Sequence, residues 1–461
     1  MLEKESFKLL FEALEQLEIG FQGMPEFNSV YELDNLRTVL LEVATRMQDN
    51  FPYPHPLYVG QMLKPPHPIA RLAYMLSMWI NPNNHALDGG RASTLMEKEA
   101  VKEIAQMFGW ETHLGHLCGG GTIANLEALW IAGKVKPGLK IVASEQSHYT
   151  HERICGVLGL PFAAVKSDRL GRMDINALEN LLKAGDIGTV VVTMGTTATG
   201  SVDPLPAILE LRSQYNFRIH ADAAYGGYFT LANNLDNTTR NAFDCLSAVD
   251  SIVIDPHKHG LQPYGCGCVI FSDPTVGAFY QHDCPFTYFT SDELHLGEIS
   301  LECSRPGAAA VALWATQRLL PYTPEGQFAT DLSKSRTAAL ALWQKIQADG
   351  RFIVPFLPEL DIVVWTPRAK SASVASQLAK DIFTAASKKN LHLAIAHLNI
   401  DFFIDTHPEM EPDQNQVTCL RSCLMKPEHL DWIDEIWRSL DQVTDQVLSE
   451  FTQQDFLFKN C

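Results

Sequence analysis

Ser251-Ile-Val-Ile-Asp-Pro-His-Lys-His-Gly260 is the stretch around which the chain is organised. Ile252 to Ile254 form an apolar run that reads as a buried strand. Asp255-Pro256 ends it, because proline cannot donate to a central ladder. His257 and Lys258 then stand side by side, and Gly260, Gly265 and Gly267 loosen the chain beyond them. Desolvating an ammonium is costly unless it is paired or chemically committed. Lys258 therefore reads either as an amine that forms a Schiff base with an aldehyde cofactor, or as an exposed loop lysine.

A partner for Lys258 lies 36 residues upstream, in Phe217-Arg-Ile-His-Ala-Asp222-Ala-Ala-Tyr-Gly-Gly227. This second apolar run ends in a carboxylate followed by small residues. An enzyme that uses pyridoxal phosphate needs an acid to keep the pyridine nitrogen protonated and a small side chain beneath the ring. Asp222 and Ala224 suit those two jobs. The plainer reading of Asp222 is a helix N-cap.

The pair His-Ala-Asp-Ala-Ala-Tyr-Gly-Gly and Asp-Pro-His-Lys resembles the group II amino-acid decarboxylases, which are fold-type I pyridoxal-phosphate (PLP) enzymes. The family includes glutamate, aromatic amino-acid and tyrosine/aspartate decarboxylases. Sphingosine-phosphate lyase is a more distant relative. The resemblance covers roughly residues 55–320 well and the remainder weakly. It implies an α/β fold with a mainly parallel seven-stranded sheet sandwiched by helices, a helical N-terminal segment and a small C-terminal α+β domain.

Composition narrows the function classes. A chain of 461 residues suggests two or three domains. Hydrophobic residues make up 46% and charged residues 20%, the balance of a globular enzyme. A net charge of −18 without any Lys/Arg run disfavours nucleic acid and reads as a solvated acidic surface. Ten cysteines occur with no C-x-x-C pair, so buried reduced thiols are expected. No signal peptide and no apolar span of ~20 residues is apparent, which predicts a cytoplasmic protein that uses no membrane.

Residues 1–60 read as a helical segment, with Phe7, Leu10, Phe11, Leu14 and Leu17 on one face. By resemblance this segment packs across a homodimer with shared active sites. Residues 61–320 are then the large cofactor-binding domain, and 321–461 the small domain, with the boundary near Pro321-Tyr-Thr-Pro324. Thr94-Leu-Met-Glu97 has the form of a capping box that starts a helix. The turn-rich loop before it ends in Arg91, which is read as a group for an acidic substrate or as a surface arginine.

Cys118-Gly-Gly-Gly-Thr-Ile-Ala-Asn125 is no P-loop, yet a glycine run opening a helix offers free N–H groups to an anion. By resemblance Gly120, Gly121 and Thr122 bind the cofactor's phosphate, with His257 nearby. His148 matches the histidine that stacks on the cofactor ring. Thr197, 25 residues before Asp222, matches a threonine that hydrogen-bonds near it. His148 and His151 lack the carboxylate or cysteine set that a metal site needs, so no metal is expected. Asp255 stands where many relatives have Asn near the phosphate; charge repulsion predicts that it points elsewhere. Independently of the family, apolar runs ending in polar residues alternate with helical stretches, which argues for a parallel sheet with ligands at its carboxyl edge.

The long polar and aromatic stretch 280–304 is, by resemblance, a mobile loop that supplies a tyrosine proton donor. Tyr288 is the candidate, ahead of Tyr280. Ser304-Arg-Pro-Gly307 is similar to the archaeal tyrosine/aspartate decarboxylases and to sphingosine-phosphate lyase. Arg421, between apolar residues, matches the arginine that holds the substrate α-carboxylate; a structural salt bridge is the other reading. The resemblance thus implies decarboxylation of an L-amino acid through a Lys258 Schiff base, with Asp222, His148 and Tyr288 taking part. Cleavage of a Cα–Cβ bond by an aldehyde-lyase is the alternative. A non-enzymatic protein on a decayed fold is disfavoured by the intact Lys258, Asp222 and His148.

Overall fold

The computed structural model describes residues 4–25, 31–281 and 294–458. Seven strands form the main sheet: β1 Leu114–Cys118, β2 Lys140–Ser144, β3 Phe162–Val165, β4 Ile187–Thr193, β5 Arg218–Asp222, β6 Ser251–Ile254 and β7 Gly267–Phe271. Their order is β1-β7-β6-β5-β4-β2-β3, with β7 antiparallel to both neighbours and the other pairs parallel. This is the mainly parallel seven-stranded sheet that the resemblance implies. Every residue of β4 (Ile-Gly-Thr-Val-Val-Val-Thr) is buried, as expected for a parallel strand covered by helices on both faces.

The antiparallel insertion of β7 leaves β1 running in the same direction as β6. The carboxyl ends of β1, β2, β4, β5 and β6 therefore share one edge, where ligands of such sheets bind. Register is tight there: Asp222 at the end of β5 lies beside Thr193 of β4 and Val253 of β6.

A second, antiparallel sheet comprises β8 Phe352–Ile353, β9 Ile362–Pro367, β10 Ala394–Asn399 and β11 Gln416–Cys423, in the order β10-β11-β9-β8. Its two faces are both apolar, by strand alternation. Val363, Trp365 and Leu420 pack beneath the helices Gln327–Ala348, Ala372–Lys388 and His429–Phe458. Ile362, Val364, Cys419 and Cys423 face the core of the main sheet. Arg421 stands opposite Val364 in the ladder, so it too points toward the main sheet.

The expected capping box is not a helix start. The helix runs Arg91–Met107 with Gly90 at its N-cap, and Thr94 and Glu97 are buried within it. Glu97 is committed elsewhere: Oε1 accepts from Arg305 Nη1 at 2.8 Å and from the Leu117 backbone N–H at 2.9 Å. Arg305 also donates to the Leu117 carbonyl at 2.7 Å, so the Ser-Arg-Pro-Gly motif ties this helix to β1.

At the N-terminus, among the described residues, Leu10 is the buried side chain of the helix Lys4–Glu18, and the helix Leu33–Met47 has none. Phe7 and Phe11 of the predicted apolar face are 43% and 64% exposed.

Candidate active site

The carboxyl edge of the main sheet holds a cavity of about 300 Å³. Gly120, Gly121, Thr122, His148, Thr197, Asp222, Ala224, His257 and Lys258 all line it, so nine residues predicted from the sequence meet at one place. Each comes from the end of a strand. The glycine turn follows β1, His148 follows β2, Thr197 follows β4, Asp222 ends β5, and Lys258 follows β6.

The glycine turn is demanded by its neighbours. Gly120 has φ 144°, in the region that disfavours side chains, and a Cβ there would lie 3.2 Å from His257 Cε1. A Cβ on Gly121 would come within 2.7 Å of Asp255 Oδ2. The helix Gly121–Val135 starts here and turns the N–H groups of its first turn and its positive dipole end toward the cavity.

Asp222 caps no helix. Its Oδ2 is 2.8 Å from His151 Nε2, and its Oδ1 accepts the Ala224 backbone N–H at 3.1 Å. Burial by itself would raise this acid. The hydrogen bond and charge of His151, with Lys258 and His220 nearby, outweigh burial and hold the carboxyl well below the usual range. His151 is itself fully buried. Sequence reading did not give it a place at the site. The signal for it was the buried Asp222, whose charge required a partner.

His220 bridges Ser251 Oγ and Asn125 Oδ1, both at 2.8 Å, and burial pushes its imidazole down to about 3. Asn125 also lines the cavity and is thus fixed from behind. His148 places Nδ1 2.8 Å from Thr150 Oγ1, and its ring stacks on Tyr149. Burial lowers the His148 imidazole, keeping it neutral near neutrality.

Asp255 departs from expectation. It lines the cavity, 2% exposed, with Oδ2 3.0 Å from Lys258 Nζ. The ammonium supplies the charge that permits a carboxylate to sit beside an anion-binding turn.

Other predicted residues stand apart. Arg91 is exposed at the first position of its helix and does not line the cavity. Arg421 does not line it either, but it is buried, with Nη2 3.1 Å from Cys423 Sγ and Nε unpartnered among the described residues. Tyr288 lies outside the described residues. Tyr280, the fallback, is buried against Trp130, and its hydroxyl donates to Glu127 Oε2 at 3.0 Å. It does not reach the cavity. Among the described residues no cluster of ligating side chains could hold a metal ion.

The donor set fits pyridoxal phosphate. An amine, an ionised carboxylate, a small residue and an anion-binding turn line one cavity, and Thr193 Oγ1 and His257 Nδ1 are unpartnered among the described residues.

Comparison with known proteins agrees. A model of the "pyridoxal-dependent decarboxylase conserved domain" matches residues 130–367, just over half of the chain. An L-tyrosine decarboxylase of Enterococcus faecium is 28% identical, over 64% of this chain and 64% of its own length. An aspartate 1-decarboxylase of Aliivibrio fischeri is 31% identical, over 55% of this chain and 54% of its own. The chain thus spans less than two thirds of either relative. The crystal structure of apo mouse CSAD superposes with a TM-score of 0.75 at 20% identity, covering 93% of this chain and 92% of that one. That of Oryza sativa TDC with PLP and tryptamine gives 0.77 at 18%, covering 94% and 91%. These two likenesses concern the fold. The chain belongs to the pyridoxal-dependent decarboxylase family.

Proposed function

We propose that this protein decarboxylates an L-amino acid to the corresponding amine, using pyridoxal 5'-phosphate. The observation that carries the reading is the convergence of Lys258, the Asp222–His151 pair and the glycine turn on one cavity. Bound pyridoxal phosphate supplies an aldehyde that captures amines and a ring that accepts the electron pair left by departing carbon dioxide.

The chain's residues have separate tasks in this reading. Lys258 offers its amine to the aldehyde. Asp222, kept ionised by His151, holds a proton on the ring nitrogen. Ala224 leaves room beneath the ring, and His148 covers the other face. Gly120, Gly121, Thr122 and His257 receive the phosphate end, and Thr197, which also lines the cavity, hydrogen-bonds near the ring. Arg421 points from the small sheet toward the main sheet, its Nε unpartnered among the described residues, and holds the substrate carboxylate. Tyr288 is the proposed proton donor to Cα, on the strength of sequence alone. Arg91, exposed and away from the cavity, has less support as a substrate group.

The small-molecule substrate is an amino acid. The relatives' names make tyrosine and aspartate the first two to test. We also propose a homodimer with shared sites. Its support is the run of exposed apolar residues Leu33, Leu36, Val39, Leu40 and Val43 on a helix that the described residues leave without a buried side chain. The eight described cysteines are free, which accords with a cytoplasmic location. Among the described residues no helix is long and apolar enough to cross a membrane.

The test is carbon dioxide release from a panel of amino acids by the cofactor-loaded protein. Release from one or a few substrates, with the matching amine, is expected. Cofactor uptake without release from any amino acid would contradict the assignment.

A further inference from the structure

We propose that Asp361 is a positioning residue for the substrate: its carboxylate fixes the strand that carries Arg421 against the cavity wall and against the segment that carries Lys258. The inference rests on the reading of Arg421 as the group that holds the substrate carboxylate, and it concerns a residue to which that reading gives no task.

Glu359, Leu360 and Asp361 stand just before β9 and reach from the small sheet to the loops of the main sheet. Glu359 Oε1 accepts from Arg172 Nε at 2.7 Å, and its Oε2 accepts the Val202 backbone N–H at 2.9 Å. Leu360 is fully buried, and a Cβ on Gly195 or on Gly226 would lie 2.8 or 2.9 Å from its Cδ1. Gly195 lines the cavity, so this leucine backs the cavity wall. Asp361 is also fully buried, and its Oδ1 accepts the Tyr225 hydroxyl at 2.6 Å. Tyr225 lines the cavity next to Ala224.

The other carboxylate oxygen of Asp361 lies 3.2 Å from His259 Nε2. His259 follows Lys258 in the chain, and its ring is held edge-on between Tyr225 and Phe229, with centroids 4.9 and 5.0 Å away. The backbone of the same aspartate serves the small sheet. Its carbonyl accepts the Leu424 N–H at 2.8 Å, and the next residue, Ile362, pairs with Cys423. Cys423 Sγ in turn lies 3.1 Å from Arg421 Nη2. One residue thus joins the cavity wall, the lysine segment and the arginine strand.

The charge is the informative part. Packing alone needs no carboxylate here, since Leu360 already fills the space behind the wall. Burying a carboxylate is costly unless hydrogen bonds and charge are arranged around it. A hydrogen bond has a preferred length and direction, whereas apolar contact is non-directional. Asp361 therefore sets where the guanidinium stands relative to the Lys258 amine. That is the span an amino acid must bridge between its α-carboxylate and its α-amine.

The test uses the full chain, loaded with pyridoxal phosphate, and the amino acid it decarboxylates, with L-tyrosine and L-aspartate tried first. Asp361→Leu, of similar shape but without either polar contact, is expected to raise KM at least about tenfold while kcat stays within about threefold of wild type. Asp361→Asn keeps an oxygen for the Tyr225 hydroxyl and should recover most of that loss. Cofactor affinity should be unchanged in both. In the Arg421→Lys background, Asp361→Leu should raise KM by less than about twofold, because the two changes remove one interaction. Should Asp361→Leu fail to fold, Tyr225→Phe carries the same test by removing the hydroxyl alone. An unchanged KM, a full effect added on top of Arg421→Lys, or an Asp361→Asn enzyme as impaired as Asp361→Leu would overturn the proposal and leave the task of Arg421 standing. An Arg421→Lys enzyme with wild-type KM would overturn that task and the proposal together. Absence of carbon dioxide release from any amino acid would overturn the decarboxylase reading with them.

Discussion

His151 Nε2 and Asp222 Oδ2 are 2.8 Å apart across 71 residues of sequence, both buried at the carboxyl edge of the main sheet. This pairing, more than the presence of an aspartate, makes a lasting charge available at the cavity. Replacing His151 by Asn or Leu removes the main cause that holds the Asp222 carboxyl down. Each pKa unit surrendered corresponds to about tenfold in the balance of charged and neutral forms. His151→Leu is expected to retain the fold and lower kcat by at least about tenfold, most strongly at acid pH. Asp222→Asn, which has no charge to offer, should lose at least about a hundredfold. Steady-state kinetics across pH 5 to 8 checks both; equal pH profiles for wild type and His151→Leu would oppose this role.

Arg421 has a testable task because its donors are underused. Among the described residues its Nε is unpartnered and its Nη2 meets the Cys423 thiol. Arg421→Lys keeps the charge but loses the planar fork. KM is expected to rise by about tenfold or more, one charge-assisted hydrogen bond being worth roughly 1.5–3 kcal/mol. Cofactor affinity should be unchanged. Loss of cofactor with an unaltered KM would make Arg421 a structural residue.

Tyr288→Phe is expected to load cofactor normally and lose most amine production. A phenol can hand a proton to Cα and a phenyl ring cannot. In the presence of dissolved oxygen, which takes up two electrons, aldehyde, ammonia and peroxide should appear in place of part of the amine. Single-turnover amine yields equal to wild type would remove Tyr288 from the mechanism. Tyr280 is no substitute, since its hydroxyl is engaged with buried Glu127.

Much of this site was legible because strand-end chemistry is local. The dipeptide His257-Lys258, the strand-Asp222 and the glycine run each sit where an apolar run stops. Parallel-sheet topology brings such ends together. The misses are pairwise, and most are long-range. Nothing in sequence spacing says that His151 reaches Asp222, or that Glu97 serves Arg305 and β1 instead of a helix cap. The charge of Asp255 argues for a place away from the phosphate, whereas in the fold Lys258, three residues on, stands 3.0 Å from it. Tyr280 looked like loop chemistry, yet its ring packs beside Trp130 and its hydroxyl answers Glu127.

Acid should loosen the fold through buried histidines. Burial drives both His220 and His429 down to about 3 from an ordinary 6.5. Their folded values are depressed, so between about 6.5 and 3 the unfolded chain binds more protons than the folded one. Stability from these groups is present above pH 6.5 and is lost as pH falls through that window. Each contributes a slope approaching about 1.4 kcal/mol per pH unit. Urea unfolding at pH 7, 6 and 5 should show His220→Gln with a shallower decline than wild type. Identical slopes in the two proteins would contradict the assignment.

The central claim is that Lys258 is the amine that captures the cofactor. A buried lysine elsewhere in the chain provides a real competitor. Lys426 is 3% exposed, and burial with Lys64 nearby pushes its ammonium down to about 7, a value suited to nucleophilic chemistry. Lys426 is instead spent on the Tyr58 carbonyl, to which it donates at 2.7 Å, and it does not line the cavity. Borohydride reduction of the cofactor-loaded protein, followed by peptide mass mapping, separates the two. The pyridoxyl mass should fall on the peptide carrying Lys258 and be absent from Lys258→Ala. A label on Lys426 or any other lysine, or none in the wild type, would contradict the account.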